Sequence, residues 1–244
     1  MNGVLFCAFL GLEKYTIRKL RKVERSLKLG HVGRATNGCL HLSSPTGGGW
    51  RNKEIMKIII DVLRHGNKNG DELTRLGEDQ VTASAKVLTM APFQRIVYSG
   101  TNRTWQSGCI VQLIAGFSGR PEEDVGFNFA NLISPDKRAA TMAEIAQIQK
   151  DGDTVELALQ VSEYARAGRN QLTGALLELA ADMAAKNQTR AIVCSHSPYT
   201  ELAVPNPADF PYGLNEASWI RYVVEDGQII SATLNHCPIP GGRN

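Results

Sequence analysis

The sequence predicts an α/β protein of three layers, a mainly parallel central sheet with helices on both faces. Three observations predict it. From Lys57 onward, short β-branched apolar runs alternate with segments of helical length. The strand runs are almost wholly apolar rather than alternating, so both of their faces must be buried, as in a parallel sheet covered by helices. The composition, 43% hydrophobic and 21% charged over 244 residues, suits a globular protein with a sizeable core. It excludes a disordered chain, a collagen and a disulfide scaffold. No run of about 18 apolar residues occurs, so no spanning helix is predicted.

Ile58-Ile59-Ile60-Asp61-Val62-Leu63 is the first strand. Thr74 to Met90 is a helix with Leu76, Val81, Ala85 and Leu88 inward. Arg95-Ile96-Val97-Tyr98 is the second strand and Arg103 to Phe117 the second helix. Ala143 to Lys150 and Val155 to Lys186 are further helices, the latter broken near Gly168. Ala191-Ile192-Val193-Cys194 is a third buried strand. Trp219 to Val224 and Gln228 to Leu234 flank Glu225-Asp226-Gly227, an Asp-Gly turn that predicts a hairpin.

Two domains of unequal kind are expected: a basic N-terminal extension with a Gly-rich linker over residues 1–50, and a catalytic domain over 51–244. Residues 1–53 hold ten basic and two acidic residues, +8, so the remainder carries 3 − 8 = −5. Lys14, Arg18, Arg21, Arg25 and Lys28 fall on one helical face, with Ile17, Leu20, Val23 and Leu27 on another. Such a helix can lie on an anionic membrane or bind a partner. A solvated extension is the plainer reading and is preferred. Ser43 to Gly49 reads as a linker; no Gly-Lys-Ser/Thr comes after its glycines, so it is not a phosphate loop. The net charge of +3 is too small to argue for nucleic acid. Five cysteines, odd in number and without a C-x-x-C pair, point to a reducing, cytoplasmic setting.

In an open α/β sheet, ligands bind beyond the carboxyl ends of the strands. The first strand ends in Leu63-Arg64-His65-Gly66, the second in Ser99-Gly100-Thr101-Asn102-Arg103, the third in Ser195-His196-Ser197-Pro198. Two arginines and two histidines would therefore meet at one edge. That set suits a phosphoryl group. A guanidinium fork matches phosphate oxygens and keeps its charge. A neutral imidazole can attack phosphorus, and a second can stabilise developing charge. A metal is not expected: there is no H-E-x-x-H, no Cys/His cluster and no carboxylate beside either histidine.

Arg64-His65-Gly66, then Leu73-Thr74-Arg75-Leu76-Gly77-Glu78-Asp79-Gln80, resembles the R-H-G and L-T-x-x-G-x-x-Q of the histidine phosphatase superfamily, also called phosphoglycerate mutase-like. Ser99 to Arg103 resembles its second-arginine turn and Val193 to His196 its late-histidine segment. The likeness spans about residues 57–235. It implies a phosphoglycerate mutase-like fold and a phosphoric monoester hydrolase. His65 would form a phosphohistidine, and Arg64, Arg103 and His196 would bind the phosphoryl oxygens. No metal or other cofactor is implied. The substrate would be a small phosphorylated metabolite or a phosphoprotein.

The resemblance also implies an acid that protonates the leaving group. Acid-phosphatase-like members place an Asp after the late histidine, where this chain has Ser197-Pro198. Mutase-like members use a later Glu, and Glu144 lies in that interval. Thr141-Met142-Ala143-Glu144 reads equally as a helix capping box. Glu156 and Glu163 are weaker candidates. Asn67 can touch the phosphate or serve as a turn residue beside Gly70. Thr74 reads as a helix N-cap and Gln80 as a packing residue. Two alternatives stay open: a phosphoglycerate mutase-type phosphotransferase, and a non-catalytic protein that binds phosphorylated ligands in the same pocket. Against the former, Asn67-Lys68-Asn69 stands where mutases carry their substrate-gripping residues.

Overall fold

The structure, a computed structural model, describes residues 56–239. The expected basic extension and linker lie outside these residues. In chain order the elements are β1 (Ile58–Arg64), β2 (Lys68–Asn69), β3 (Glu72–Leu73), α1 (Arg75–Leu88), β4 (Arg95–Tyr98) and α2 (Asn102–Ala115). Then come β5 (Glu122–Glu123), two short 3₁₀ turns (Val125–Phe127 and Phe129–Leu132), α3 (Arg138–Asp151), α4 (Val155–Val161) and α5 (Glu163–Ala185). The chain closes with β6 (Arg190–Ser195), a 3₁₀ turn at Pro207–Asp209, β7 (Trp219–Glu225) and β8 (Gln228–Asn235).

The main sheet has the order β5-β4-β6-β1-β7-β8. β1 runs parallel to β6, as do β4 to β6 and β5 to β4. β7 and β8 add an antiparallel edge. Within the strands the side chains alternate between two cores. Ile60, Val62, Val97, Ala191 and Val193 pack against α5 through Leu172, Leu176, Leu179 and Met183. Leu63, Ile96, Ile192 and Cys194 pack on the other face against Val81, Ala85 and Leu88 of α1 and Val111 of α2. The expected three-layer, mainly parallel architecture is therefore present. The Asp-Gly hairpin is present too: Asp226 and Gly227 have φ of 47° and 72°, the left-handed pair that a two-residue turn between twisted strands needs.

Three local expectations are corrected. The helix expected from Ala143 begins at Arg138, with Lys137 as its N-cap, so Thr141 and Glu144 lie within α3 and form no capping box there. The break expected near Gly168 falls instead at Ser162, whose backbone is extended and whose hydroxyl accepts from Ala165 N at 3.2 Å, starting α5 afresh. Gly168 is helical and buried. A Cβ there would lie 2.7 Å from Leu202 Cδ1 and 2.9 Å from Phe129 Cε2, so the glycine serves close packing, not a break. Leu76, expected inward, is 40% exposed, whereas Val81, Ala85 and Leu88 are buried as expected.

The register places the site. Arg64 of β1 pairs with Ser195 of β6, so His65 and His196 leave adjacent strands at the same level. The turn after β1 then presses on the first turn of α1. A Cβ on Gly77 would lie 2.0 Å from Asn67 O, and one on Gly66 would lie 2.3 Å from Gly77 O. Backbone on backbone cannot yield as a flexible side chain can. Gly77→Ala is therefore expected to cost about 1–3 kcal/mol and to displace the His65 turn. Chemical denaturation with a parallel activity assay checks this; wild-type stability and activity together would contradict it.

Candidate active site

His65 is pinned on both sides of its backbone. Its N–H donates to Ser195 O at 3.1 Å, and its carbonyl accepts from Ala217 N at 3.2 Å. Its ring Nδ1 lies 2.7 Å from Gly66 O. A carbonyl only accepts, so Nδ1 carries the proton and Nε2 keeps its lone pair. The turn after His65 is held by the residues of the L-T-x-x-G-x-x-Q run. Thr74 caps α1 by accepting from Gly77 N at 3.1 Å and donates to Asn67 Oδ1 at 2.8 Å. Gln80 Oε1 accepts from Asn67 N at 2.8 Å. Gln80 is thus more than a packing residue. With Asn67 Oδ1 occupied, the amide nitrogen remains the side-chain group able to donate.

His196 sits beside His65, with ring centroids 5.3 Å apart and an edge-on angle of 66°. Its Nδ1 is 3.4 Å from Arg103 Nη2, which can only donate. The proton therefore resides on Nε2, 2.9 Å from Ser99 Oγ. Ser99 in turn donates to Thr104 Oγ1 at 3.2 Å, and Thr104 donates to Thr101 O at 2.9 Å. One consistent hydroxyl chain fixes the ring and its tautomer.

Arg64 and Arg103 flank the two rings. Arg64 Nη1 donates to Leu214 O, and its Nη2 lies 3.6 Å from Glu216 Oε1. Arg103 Nη1 donates to Asp71 Oδ1 at 2.7 Å. The second oxygen of Asp71 accepts from Asn102 N, at the start of α2, at 3.1 Å. Nε of each arginine is buried without a partner, so each guanidinium keeps an unused donor. Behind the Leu214 loop, the fully buried Glu201 accepts from Gly213 N at 2.7 Å and Ser197 Oγ at 2.8 Å. Ser197 Oγ in turn accepts from Leu214 N at 2.7 Å. Glu201 thereby holds the loop whose carbonyl orients Arg64.

Electrostatics keep both histidines neutral. Burial pushes the His65 imidazole well below its usual range, with His196 and the two arginines adding to the effect. Burial, then Arg103, Arg64 and Lys68, push His196 down to about 3. Both groups take protons more readily unfolded, near pH 6.5, than folded. Stability is therefore fully present above that pH. It is lost as pH falls below about 6.5, at up to about 1.4 kcal/mol per pH unit per histidine. For His196 the loss runs on to about pH 3. Melting temperatures between pH 7 and pH 4 should fall more steeply in the wild type than in a His65→Asn/His196→Asn double variant. Parallel curves would contradict the assignment.

The structure thus brings Arg64, His65, Asn67, Arg103 and His196 to one sheet edge. Glu144 is exposed on α3 and makes no hydrogen bond to these residues. Its charge still reaches Tyr212, whose hydroxyl is pushed up by burial and then by Glu201 and Glu144. Glu156 and Glu163 sit exposed in the first turns of α4 and α5. Sequence reasoning missed Ser99, Asp71, Glu201 and Glu216. Ser99 had a usable signal, its place at the end of a strand four residues before Arg103. The three carboxylates had none, since loops bring them to the site. Among the described residues, no group of three or more His, Cys, Asp and Glu side chains is arranged to hold a metal ion.

This architecture is the phosphoglycerate mutase-like α/β fold. No family model matches the chain, and no curated protein matches it. Among solved structures, the chain resembles phosphoglycerate mutase from Bacillus anthracis, with 15% identity and a TM-score of 0.54 over 75% of this chain and 93% of that one. It also resembles a mutant phosphoserine phosphatase from Entamoeba histolytica in complex with phosphoserine. That match has 15% identity and a TM-score of 0.50, over 74% of this chain and 98% of that one.

Proposed function

We propose that this protein is a phosphatase of the histidine phosphatase superfamily, hydrolysing phosphomonoesters through a phosphohistidine on His65. The observation that carries the reading is the His65 ring itself. Its Nδ1–H is committed to Gly66 O, its Nε2 is free, and two guanidiniums and a second imidazole stand around it. Nε2 attacks phosphorus, and the P–O bond to the alcohol breaks. The leaving oxygen takes a proton, a role we assign to Glu144. Water then attacks phosphorus, the N–P bond breaks, and inorganic phosphate leaves. Arg64 and Arg103, through their unpaired Nε donors, and the Asn67 amide hold the oxygens, and His196 adds a further donor when its Nε2–H turns from Ser99 to the phosphoryl group; together they stabilise the charge that gathers there. No step in this scheme calls for a metal.

The alcohol would belong to a small metabolite or a phosphoprotein. The reading includes a reducing, cytoplasmic setting, suggested by five cysteines that are odd in number and form no C-x-x-C pair. The test is hydrolysis of an aryl phosphate labelled in the phosphoryl group, in EDTA, with an alkaline quench. Turnover with an alkali-stable, acid-labile label on the protein is the expected result. Turnover that EDTA abolishes would refute the metal-free route, and tight phosphate binding without turnover would favour the binding-protein alternative.

A further inference from the structure

Each phosphate-facing arginine already carries a carboxylate. Asp71 lies 2.7 Å from Arg103 and Glu216 lies 3.6 Å from Arg64. Both remain open to solvent, Asp71 with 55% and Glu216 with 24% of the side chain exposed. They approach from opposite ends of the chain. Asp71 is carried on the β2–β3 hairpin, anchored to the start of α2 through Asn102 N. Glu216 belongs to the loop that leads from Leu214, which holds Arg64, to Ala217, which holds the His65 carbonyl. Among the described residues, the cations around the phosphoryl position are then Arg64, Arg103 and Lys68, and the anions are Asp71 and Glu216, with Glu201 behind them, its carboxyl pushed up by burial.

A pocket so balanced differs from one built for polyanions, in which cations outnumber carboxylates. The phosphoryl group can still claim the unpaired Nε donors. A second negative charge on the alcohol would meet two carboxylates, with no spare cation beyond Lys68 at the site among the described residues, and like charges brought together are disfavoured.

We propose that Asp71 and Glu216 select substrates by the charge of the leaving alcohol, favouring phosphomonoesters of neutral or cationic alcohols over those bearing a carboxylate or a second phosphate. This rests on the reading of the site as a phosphomonoesterase. It disfavours a mutase acting on an acidic, doubly phosphorylated substrate.

Three two-carbon esters test it: O-phosphoethanolamine, ethylene glycol monophosphate and 2-phosphoglycolate. The order is read twice, as kcat/KM on the wild type and as Kd on His65→Ala, which cannot form the phosphohistidine. The expected order is cationic, then neutral, then anionic, with about tenfold or more between the ends. Asp71→Asn/Glu216→Gln should compress that ratio by about tenfold, raising the anionic ester relative to the others. Turnover without a charge order, or a variant that scales all three esters alike, overturns the proposal and leaves the phosphatase reading standing. A charge order in Kd with no wild-type turnover upholds the proposal and removes the hydrolytic reading.

Discussion

His65→Ala is expected to lower kcat/KM for an aryl phosphate on the order of 10⁴-fold and to abolish the acid-labile phosphoryl label. The reason is geometric. Among the described residues, Nε2 of His65 is the one ring nitrogen of the His65–His196 pair left without a protein partner, since Nδ1 of His65 faces Gly66 O and both nitrogens of His196 are engaged. No other group in the cluster is a neutral nucleophile poised between the guanidiniums. Binding of inorganic phosphate should survive the change, because Arg64, Arg103 and His196 remain. A variant that loses turnover but keeps phosphate binding and its melting temperature has lost the nucleophile rather than the fold. Activity retained in the variant would move the nucleophile elsewhere.

The largest expected loss of stability lies within β1, three residues before Arg64. Asp61 is fully buried in the middle of β1, flanked by Ile60 and Val62. It accepts from Arg190 Nε at 2.9 Å and Nη2 at 2.7 Å, and from Arg221 Nε at 2.8 Å. Arg190 also donates to Leu88 O and Ala91 O, at 2.9 and 2.6 Å, so it closes the carboxyl end of α1. Removing the carboxylate leaves a buried guanidinium with no counter-charge. Asp61→Ala should cost about 3–5 kcal/mol, roughly a 10 °C fall in melting temperature for a domain of this size. Arg221→Met is the control. Arg221's side chain is 40% exposed and its removal leaves the Asp61–Arg190 pair intact, so it should cost about 1 kcal/mol or less. A shift under about 2 °C for Asp61→Ala would show that the triad contributes less than its burial implies.

Much of the candidate site was legible before folding because its residues sit directly after strands. A buried strand is a short apolar run, and in an open α/β sheet the residues just beyond its carboxyl end point at the ligand edge. Arg64, His65, Arg103 and His196 were readable on that ground. Glu144 shows the limit. Thr141-x-x-Glu144 has the letters of a helix start, but α3 begins at Arg138, because the pattern says nothing about which turn comes first. Gly168 shows another. A glycine in a helical run signals a break or a close approach, and only the positions of Leu202 and Phe129 decide between them.

The sequence by itself determined the three-layer α/β class, the buried strands, the Asp-Gly hairpin and the strand-end placement of four side chains of the candidate site. These are local properties: hydrophobic period, turn chemistry and residues adjacent to strand ends. Tertiary structure alone decided the charge of the pocket. Asp71 and Glu216 reach the arginines from separate loops, Ser99 meets His196 only because β4 and β6 are neighbours, and Glu201 acts through the backbone of Leu214. Such pairings depend on distances between segments far apart in the chain, which no local pattern encodes.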